Sequence, residues 1–179
     1  PTVHELEALA ADRFGKEAAV FVPSGTMANQ AAIAAATRPG DEIIVERGAH
    51  CFRYEAGALV RIAGVQVNLL DGDRGILSAA DVEAAIRPDN IHCPPTTLVE
   101  IEQTHNAAGG SVWPMEAVDA VRDVADAHGL WVHMDGARLF HAQAASGIGV
   151  ADWAARADSV STCLSKGLSA PVGSLTMGS

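Results

Sequence analysis

The chain has 179 residues, of which 49% are hydrophobic and 19% are charged, so its composition is that of a globular protein with a sizeable core. A formal net charge of −10 disfavours nucleic acid or an anionic membrane as the main partner. No apolar run approaches the roughly 20 residues that span a bilayer, and no signal peptide is visible, so we expect neither a membrane nor a secreted protein. The three cysteines (Cys51, Cys93 and Cys163) lack metal-ligand spacing, which suits reduced thiols and predicts a cytoplasmic protein.

Apolar spacing and capping signals predict helices and strands that alternate along the whole chain. The predicted elements are, in order, a helix over 6–14 entered through a capping box at 2–5, a strand over 18–22, a helix over 27–37, a strand over 43–45, a helix over 52–62, a strand over 65–70, a helix over 79–86, a strand over 98–102, a helix over 116–128 that ends at Gly129, a strand over 131–134, a helix over 139–146 and a strand over 159–164. This alternation predicts one α/β domain with a mostly parallel sheet sandwiched by helices.

Polar clusters follow five of these predicted strands. They are Ser24-Gly25-Thr26, His50, Thr104-His105-Asn106, Asp135-Gly136-Ala137-Arg138 and Ser165-Lys166-Gly167. Because the carboxyl ends of parallel strands meet at one edge, which is where such sheets bind ligands, we expect the five clusters to share a site.

The cluster Ser24-Gly25-Thr26 opens a predicted helix. Its backbone N–H groups, a hydroxyl and the positive end of the helix dipole favour a phosphate, and glycine lets the anion approach closely. An ordinary helix N-terminus has the same pattern, so this cluster alone does not distinguish a phosphate site from a simple helix start.

Asp135 follows an apolar strand, and Arg138 comes three residues later. The carboxylate caps the next helix or, alternatively, is buried to hold a cationic partner, since an unpaired buried charge is too costly to persist. Arg138 then serves a second acceptor nearby, although an arginine beside an aspartate is also a common structural pair.

Lys166 stands at the end of the last predicted strand, beside small residues. A lysine facing a cleft there is desolvated, which lowers its pKa and lets the amine form a Schiff base with a carbonyl. Asp135 lies about one strand–helix–strand crossover earlier, so both residues reach the same edge. A Schiff-base lysine, a carboxylate and a phosphate cradle together indicate pyridoxal 5′-phosphate as the cofactor.

The seven histidines include two, His50 and His105, that follow predicted strands at this edge; the other five are interpreted as structural or surface residues. His50 and the adjacent Cys51 lack the second pair of ligands that a tetrahedral zinc site needs. We therefore expect no metal site.

The segments 23–30 (PSGTMANQ), 104–106 (THN, with Gly109-Gly110), 133–138 (HMDGAR) and 163–167 (CLSKG) resemble the low-specificity L-threonine aldolases. These enzymes belong to the aspartate-aminotransferase-like superfamily of pyridoxal phosphate enzymes, whose fold type I large domain the chain would share. The resemblance runs over essentially all of the chain. Ser169 stands where that family is expected to have glycine, and Cys93-Pro94-Pro95 departs from its usual aromatic and basic pattern.

The resemblance implies roles for the candidate site residues. Lys166 forms the Schiff base with the cofactor, Asp135 pairs with the ring nitrogen, and His50 stacks on the ring. It also implies that Ser24, Gly25 and Thr26 hold the phosphate, that Arg138 contacts the ring hydroxyl side, and that His105 lies near the substrate hydroxyl. The implied reaction is retro-aldol cleavage of L-threonine or L-allo-threonine to glycine and acetaldehyde. Our own hypothesis is that His105 or His50 removes the β-hydroxyl proton, directly or through water, because a neutral imidazole has a suitable pKa.

The resemblance further implies a homotetramer, and it implies that residues 1–179 are part of a large domain whose N-terminal segment and C-terminal small domain lie outside this sequence. Two other functions stay open. One is a pyridoxal phosphate lyase of the same superfamily that eliminates at the β-carbon, and the other is a non-catalytic domain that keeps the fold. A Rossmann domain is disfavoured because no G-x-G-x-x-G follows the first strand.

Overall fold

The structure is a computed structural model, and it describes residues 2–179. Its seven strands are β1 (Ala18–Val22), β2 (Glu42–Glu46), β3 (Gln66–Leu70), β4 (Thr96–Glu102), β5 (Trp131–Asp135), β6 (Ser159–Cys163) and β7 (Ser174–Gly178). Its α-helices are α1 (Thr2–Phe14), α2 (Gly25–Ala36), α3 (His50–Arg53), α4 (Ala79–Ala85), α5 (Met115–His128), α6 (Leu139–Ser146) and α7 (Val150–Ala154), and Leu59–Ala63 forms a short π-helical segment.

All seven strands form one sheet in the order β1-β7-β6-β5-β4-β2-β3. Strands β3, β2, β4, β5 and β6 pair in parallel, whereas β7 runs antiparallel to both of its neighbours. Because β1 pairs antiparallel with β7, β1 points the same way as the five parallel strands. The predicted fold class, a mostly parallel sheet between helices, is confirmed.

Helices cover both faces of this sheet and bury two apolar clusters. The larger cluster packs side chains of α1, α4, α5, α6 and α7 against one face, with Val99, Val132 and Val160 at its centre. The smaller one packs Ile33 of α2 and the π-helical segment against Ile43 and neighbouring residues of the other face. Since side chains alternate along a strand, the residues between those of the larger cluster face α2.

That alternation places polar side chains on the α2 face of the central strands. Glu100 and Glu102 of β4 and His133 and Asp135 of β5 occupy the alternate positions, and all four are buried. Unpaired polar groups are costly in such a place, so their hydrogen bonds define the chemistry of this face.

Most predicted elements are confirmed with bounds that differ by one or two residues, and the prediction that Gly129 ends a helix is also confirmed. The predicted capping box at 2–5 is wrong, because α1 already includes Thr2. The predicted helix over 52–62 is wrong, because Ala56 and Gly57 adopt left-handed φ values of 54° and 71°. These two residues interrupt the helix between α3 and the π-helical segment. The strand β7 and the short helix α7 were not predicted.

Candidate active site

The five strands that precede the predicted polar clusters (β1, β2, β4, β5 and β6) all point in one direction, so the clusters follow their strands at one edge of the sheet. Asp135 ends β5, and Lys166 follows the neighbouring strand β6. The prediction that these two residues reach the same edge on consecutive strands is therefore consistent with the topology.

The N-terminus of α2 lies against the end of β6. Ser24 caps the helix, and its Oγ accepts a hydrogen bond of 3.2 Å from the backbone N–H of Met27. A Cβ atom on Gly25 would lie 2.8 Å from Sγ of Cys163, so only glycine fits here without a shift of the helix. The first backbone N–H groups of a helix lack partners within it, which leaves those of Gly25 and Thr26 for an anion.

The Asp135 carboxylate is buried and accepts two hydrogen bonds. Its Oδ1 accepts from the backbone N–H of Ala137 at 3.0 Å, and its Oδ2 accepts from the side-chain amide of Asn29 at 2.7 Å. Asn29 belongs to α2, so this contact joins the helix to the carboxyl end of β5. Each carboxylate oxygen keeps a further lone pair for a cationic group such as a ring N–H.

His50 is the half-buried first residue of α3 and is held by two carboxylates. Its ring Nδ1 lies 3.0 Å from Oε1 of Glu55, and its backbone N–H donates to Glu102. The hydrogen bond to Glu55, assisted by the charges of Asp135 and Glu102, raises the pKa of His50 above its usual value. Glu55 itself is buried and also accepts from Asn29 and Gln30.

His105 is buried in a narrow slot. Its Nε2 lies 2.8 Å from a carboxylate oxygen of Glu46, and its Nδ1 accepts from the backbone N–H of Ala108 at 3.3 Å. The acceptor role of Nδ1 places the ring proton on Nε2. A Cβ atom on Gly75 would lie 2.2 Å from the ring, so the slot is closed on that side. Both ring nitrogens are thus engaged within the fold.

Lys166 and Arg138 are both half-buried. Lys166 lies in the loop between β6 and β7, where its carbonyl accepts from the backbone N–H of Ser169. Gly167 packs so closely on the ring of His141 in α6 that a Cβ atom would lie 2.3 Å away. Ser169, at the position where the resemblance predicts glycine, has a φ of 57°, in the left-handed region that favours glycine.

Ligand atoms of His50, Glu55 and Asp135 lie within 4.8 Å of one another, a spacing that a metal ion could use. The amide N–H₂ of Asn29 already donates to Glu55 and to Asp135, so hydrogen bonds account for the cluster. The absence of a metal site stays a prediction.

Sequence reasoning missed the residues that organise this edge, namely Asn29, Glu46, Glu55 and Glu102. Asn29 lies within the PSGTMANQ motif, which carried a usable signal, because a polar residue on the inner side of an Ala-rich helix needs a buried partner. Glu55 fell inside the helix that was wrongly predicted over 52–62.

The fold is an α/β domain whose polar clusters lie at the carboxyl ends of its parallel strands, which is where sheets of this kind bind ligands. The family model described as "Beta-eliminating lyase" matches residues 1–179. The chain therefore belongs to the β-eliminating lyase family. This membership and the relatives below confirm the predicted family resemblance.

Two curated relatives match over nearly the whole chain. The low-specificity L-threonine aldolase 1 of Arabidopsis thaliana is 41% identical over 100% of this chain and 51% of its own length. The low specificity L-threonine aldolase of Escherichia coli K12 is 40% identical over 99% of this chain and 53% of its own length. The chain thus spans about half the length of the curated relatives it matches.

Among solved structures, the threonine aldolase of Leishmania major superposes with a TM-score of 0.83 and 26% identity, over 94% of this chain and 50% of that one. This similarity agrees with the fold class predicted from the sequence. None of the helices within residues 2–179 has the length and apolar character that crossing a membrane requires.

Proposed function

We propose that the protein is, in its full length, a pyridoxal phosphate-dependent aldolase that cleaves L-threonine or L-allo-threonine to glycine and acetaldehyde. The observation that carries this proposal is the buried Asp135 carboxylate at the end of β5, held by Asn29, with Lys166 after the adjacent strand and the open N-terminus of α2 at the same edge. The relatives named threonine aldolases support the choice of reaction.

The residues at this edge fit the cofactor. Gly25 leaves no room for a side chain against Cys163, so a phosphate would meet backbone N–H groups at the start of α2, with Ser24 and Thr26 beside it. Asp135 would pair with the ring nitrogen and favour its protonated form, since a buried carboxylate stabilises a nearby cation. Arg138 would contact the ring hydroxyl side, and Lys166 would supply the amine.

Pyridoxal phosphate, when bound, supplies an aldehyde that condenses with amines and a ring that accepts the electron pair of a bond broken at the α-carbon. The chain must then remove the proton of the substrate's β-hydroxyl. We assign this step to His50, whose ring is half-buried and which would, by the family resemblance, also stack on the cofactor ring. Its Nδ1 is held by Glu55, which leaves Nε2 as the nitrogen that takes the proton.

His105 was the other candidate for this base. Its two ring nitrogens are engaged by Glu46 and by the backbone of Ala108, which favours a role in holding the loop after β4. A His105→Ala variant that loses the acid limb of the pH–rate profile while His50→Ala keeps it would reverse the assignment. A profile unchanged in both variants would exclude both histidines.

Residues 1–179 are, in this proposal, part of the large domain of a longer chain that works in the cytoplasm as a homotetramer. Cys51, Cys93 and Cys163 are free thiols, as a reducing compartment favours. An open apolar groove of about 680 Å³ lies between α2 and the β1 and β7 strands, and includes Val20, Met27 and Trp131. An apolar surface of this kind favours a covering chain segment or subunit.

The test is an absorbance spectrum of the protein with pyridoxal phosphate, followed by borohydride reduction and peptide mapping. A visible band and a reduced adduct on Lys166 are expected, and a Lys166→Ala variant serves as the control. The full-length protein is then given L-threonine: glycine and acetaldehyde support the aldolase, whereas pyruvate and ammonia from amino acid substrates identify a β-eliminating lyase. No adduct on Lys166 in the full-length protein would overturn the proposal and leave a non-catalytic domain.

A further inference from the structure

Asn29 lies at the centre of a buried hydrogen-bond network that the proposed chemistry does not yet use. Its side-chain amide forms hydrogen bonds with groups on β5, on β6 and in the turn after α3. Its Nδ2 donates to Oδ2 of Asp135 at 2.7 Å and to Oε1 of Glu55 at 3.0 Å. Its Oδ1 accepts from Oγ of Ser161 at 2.6 Å and faces Nε2 of His133 at 3.3 Å.

We propose that Asn29 is a positioning residue that fixes the Asp135 carboxylate for the ring nitrogen of the cofactor and links it to the Glu55–His50 pair. This inference rests on the proposed function for the identity of the bound ring. The network itself belongs to the cofactor-free chain and can be tested there.

The directions of the hydrogen bonds follow from one another. Because the N–H₂ group of Asn29 donates to the two carboxylates, its Oδ1 faces Nε2 of His133, which therefore carries the ring proton and donates. Oγ of Ser159 accepts from the indole N–H of Trp131 at 3.1 Å, and its own proton is available for Nδ1 of His133 at 2.9 Å. Burial lowers the pKa of His133 to about 4, so this ring is neutral at neutral pH and does not donate from both of its nitrogens.

The carboxylates of Asp135 and Glu55 determine which way the Asn29 amide points. A flipped amide would place its oxygen against these carboxylate oxygens, which can only accept hydrogen bonds. Two favourable contacts would become repulsive, so the amide has a single orientation. The carboxylate that the amide binds is thereby fixed as well.

The position of Asn29 also answers an electrostatic problem. Asp135 and Glu55 are both buried, and no lysine or arginine within residues 2–179 forms an ion pair with either of them. One N–H₂ group that donates to both supplies the positive end of a dipole between two like charges. A carboxyl or an apolar side chain at position 29 would leave the carboxylates of Asp135 and Glu55 without this shared donor.

The matched pair of variants for the test is Asn29→Ala and Gln30→Ala. Gln30 is the next residue of α2, is equally buried, and donates to the other oxygen of Glu55 at 2.7 Å without touching Asp135. Both variants lose an amide that binds Glu55, but only Asn29→Ala loses the contact to Asp135. The dissociation constant of pyridoxal phosphate is measured for each by fluorescence quenching in the full-length protein, with folding monitored by urea unfolding.

A hydrogen bond to a charged group corresponds to about 10- to 100-fold in affinity, so we expect Asn29→Ala to bind the cofactor more weakly than Gln30→Ala by that factor. Ser161→Ala loses only the hydrogen bond to the Asn29 oxygen and should weaken the affinity for pyridoxal phosphate by a smaller factor. This variant replaces Asn29→Ala in the test if Asn29→Ala does not fold. Equal affinities for the Asn29 and Gln30 variants, or a wild-type affinity for Ser161→Ala where Asn29→Ala is unfolded, would overturn the positioning role.

A readout without cofactor separates this inference from the proposed function. In the ¹⁵N spectrum of the cofactor-free wild-type protein, the imidazole of His133 should carry its proton on Nε2 at neutral pH, and Asn29→Ala or Ser161→Ala should alter its Nε2 signal. A proton on Nδ1 instead would overturn the network even in a protein that binds pyridoxal phosphate. A wild-type protein that shows the predicted tautomer but forms no adduct on Lys166 would refute the proposed function while leaving the network in place.

Discussion

Nδ1 of His50 lies 3.0 Å from Oε1 of Glu55, five residues later in the chain. The helix α3 ends at Arg53, and Glu55 lies in the turn that follows, from which its carboxylate reaches back to the first residue of the helix. Because Nδ1 of His50 is held by Glu55, Nε2 is the nitrogen available as a base. The Glu55 carboxylate stabilises the imidazolium that forms when Nε2 takes up a proton.

The first prediction concerns the pKa of His50. Glu55→Gln should lower this pKa towards the unperturbed value of about 6.5, because the hydrogen bond to Glu55 is the largest contribution that raises it. A histidine whose pKa is raised by folding stabilises the protein fully below its unfolded pKa, and the stabilisation is lost as the pH rises through the folded pKa. The destabilisation by Glu55→Gln should therefore be larger at pH 6 than at pH 9.

The measurement is an NMR titration of the His50 ring together with urea unfolding at the two pH values. Glu83→Gln is the matched control, because Glu83 lies 3.7 Å from His128 and far from His50 in the fold. An unchanged midpoint for His50 in Glu55→Gln would contradict the assigned cause of the shift.

The second prediction concerns the phosphate end of the site. Gly25→Ala should push the N-terminus of α2 away from β6, because the new Cβ atom would lie 2.8 Å from Sγ of Cys163. We expect pyridoxal phosphate to bind at least about tenfold more weakly, which corresponds to about 1.4 kcal/mol. Removing the sulfur in Gly25→Ala/Cys163→Ala should restore most of the affinity, as measured by fluorescence quenching. A double variant as weak as Gly25→Ala would show that the contact with Cys163 is not the cause.

The sheet and the edge that carries the site were largely predictable, because apolar runs mark strands and the polar residues that follow them mark strand ends. The bounds of β1 (Ala18–Val22) and α6 (Leu139–Ser146) agree with the prediction. The antiparallel strand β7 has an alternating pattern, but five residues after a loop rich in glycine and proline give a weak signal.

The interior of the site was not predictable, because its contacts join residues that are distant in the chain. Asn29 and Asp135 are 106 positions apart, and Ser161 is a further 26 positions along. His133 was interpreted as structural from its apolar surroundings, and the structure places it in the buried network beneath Asp135. Spacing along the chain identified the residues at the edge but not the amides and carboxylates that orient them.

The third prediction concerns the slot around His105. Gly75→Ala should destabilise the fold for two reasons, since its φ of 83° is unfavourable for alanine and its Cβ atom would lie 2.2 Å from the His105 ring. Gly57→Ala is the matched control, because it has a φ of 71° and nothing within 4 Å of the new Cβ atom. Left-handed alanine costs about 1–2 kcal/mol, and overpacking adds about 1–3 kcal/mol. Gly75→Ala should therefore lower the free energy of unfolding more than Gly57→Ala, and equal losses in urea unfolding would refute the tight slot.

The fourth prediction concerns Glu100, which is fully buried in β4. The thiol of Cys51 approaches its carboxylate, but neither carboxylate oxygen has a hydrogen bond of normal geometry within residues 2–179. Burial, together with the charges of Asp135, Glu102 and Glu55, raises the pKa of Glu100 well above its usual range. The folded protein therefore holds a proton on Glu100 at pH values where the unfolded chain has released it.

The sign of the pH dependence follows from this difference. Above the unfolded pKa of a glutamate, about 4.3, the unfolded state binds fewer protons, so the free energy of unfolding decreases as the pH rises until the folded pKa is reached. One proton corresponds to about 1.4 kcal/mol for each pH unit. Glu100→Gln keeps the shape and removes the proton, so its stability should exceed that of the wild type by a margin that grows from pH 5 to pH 7. Glu116→Gln, at an exposed position in α5, is the control, and a margin independent of pH in urea unfolding would show that Glu100 is ionised in the folded protein.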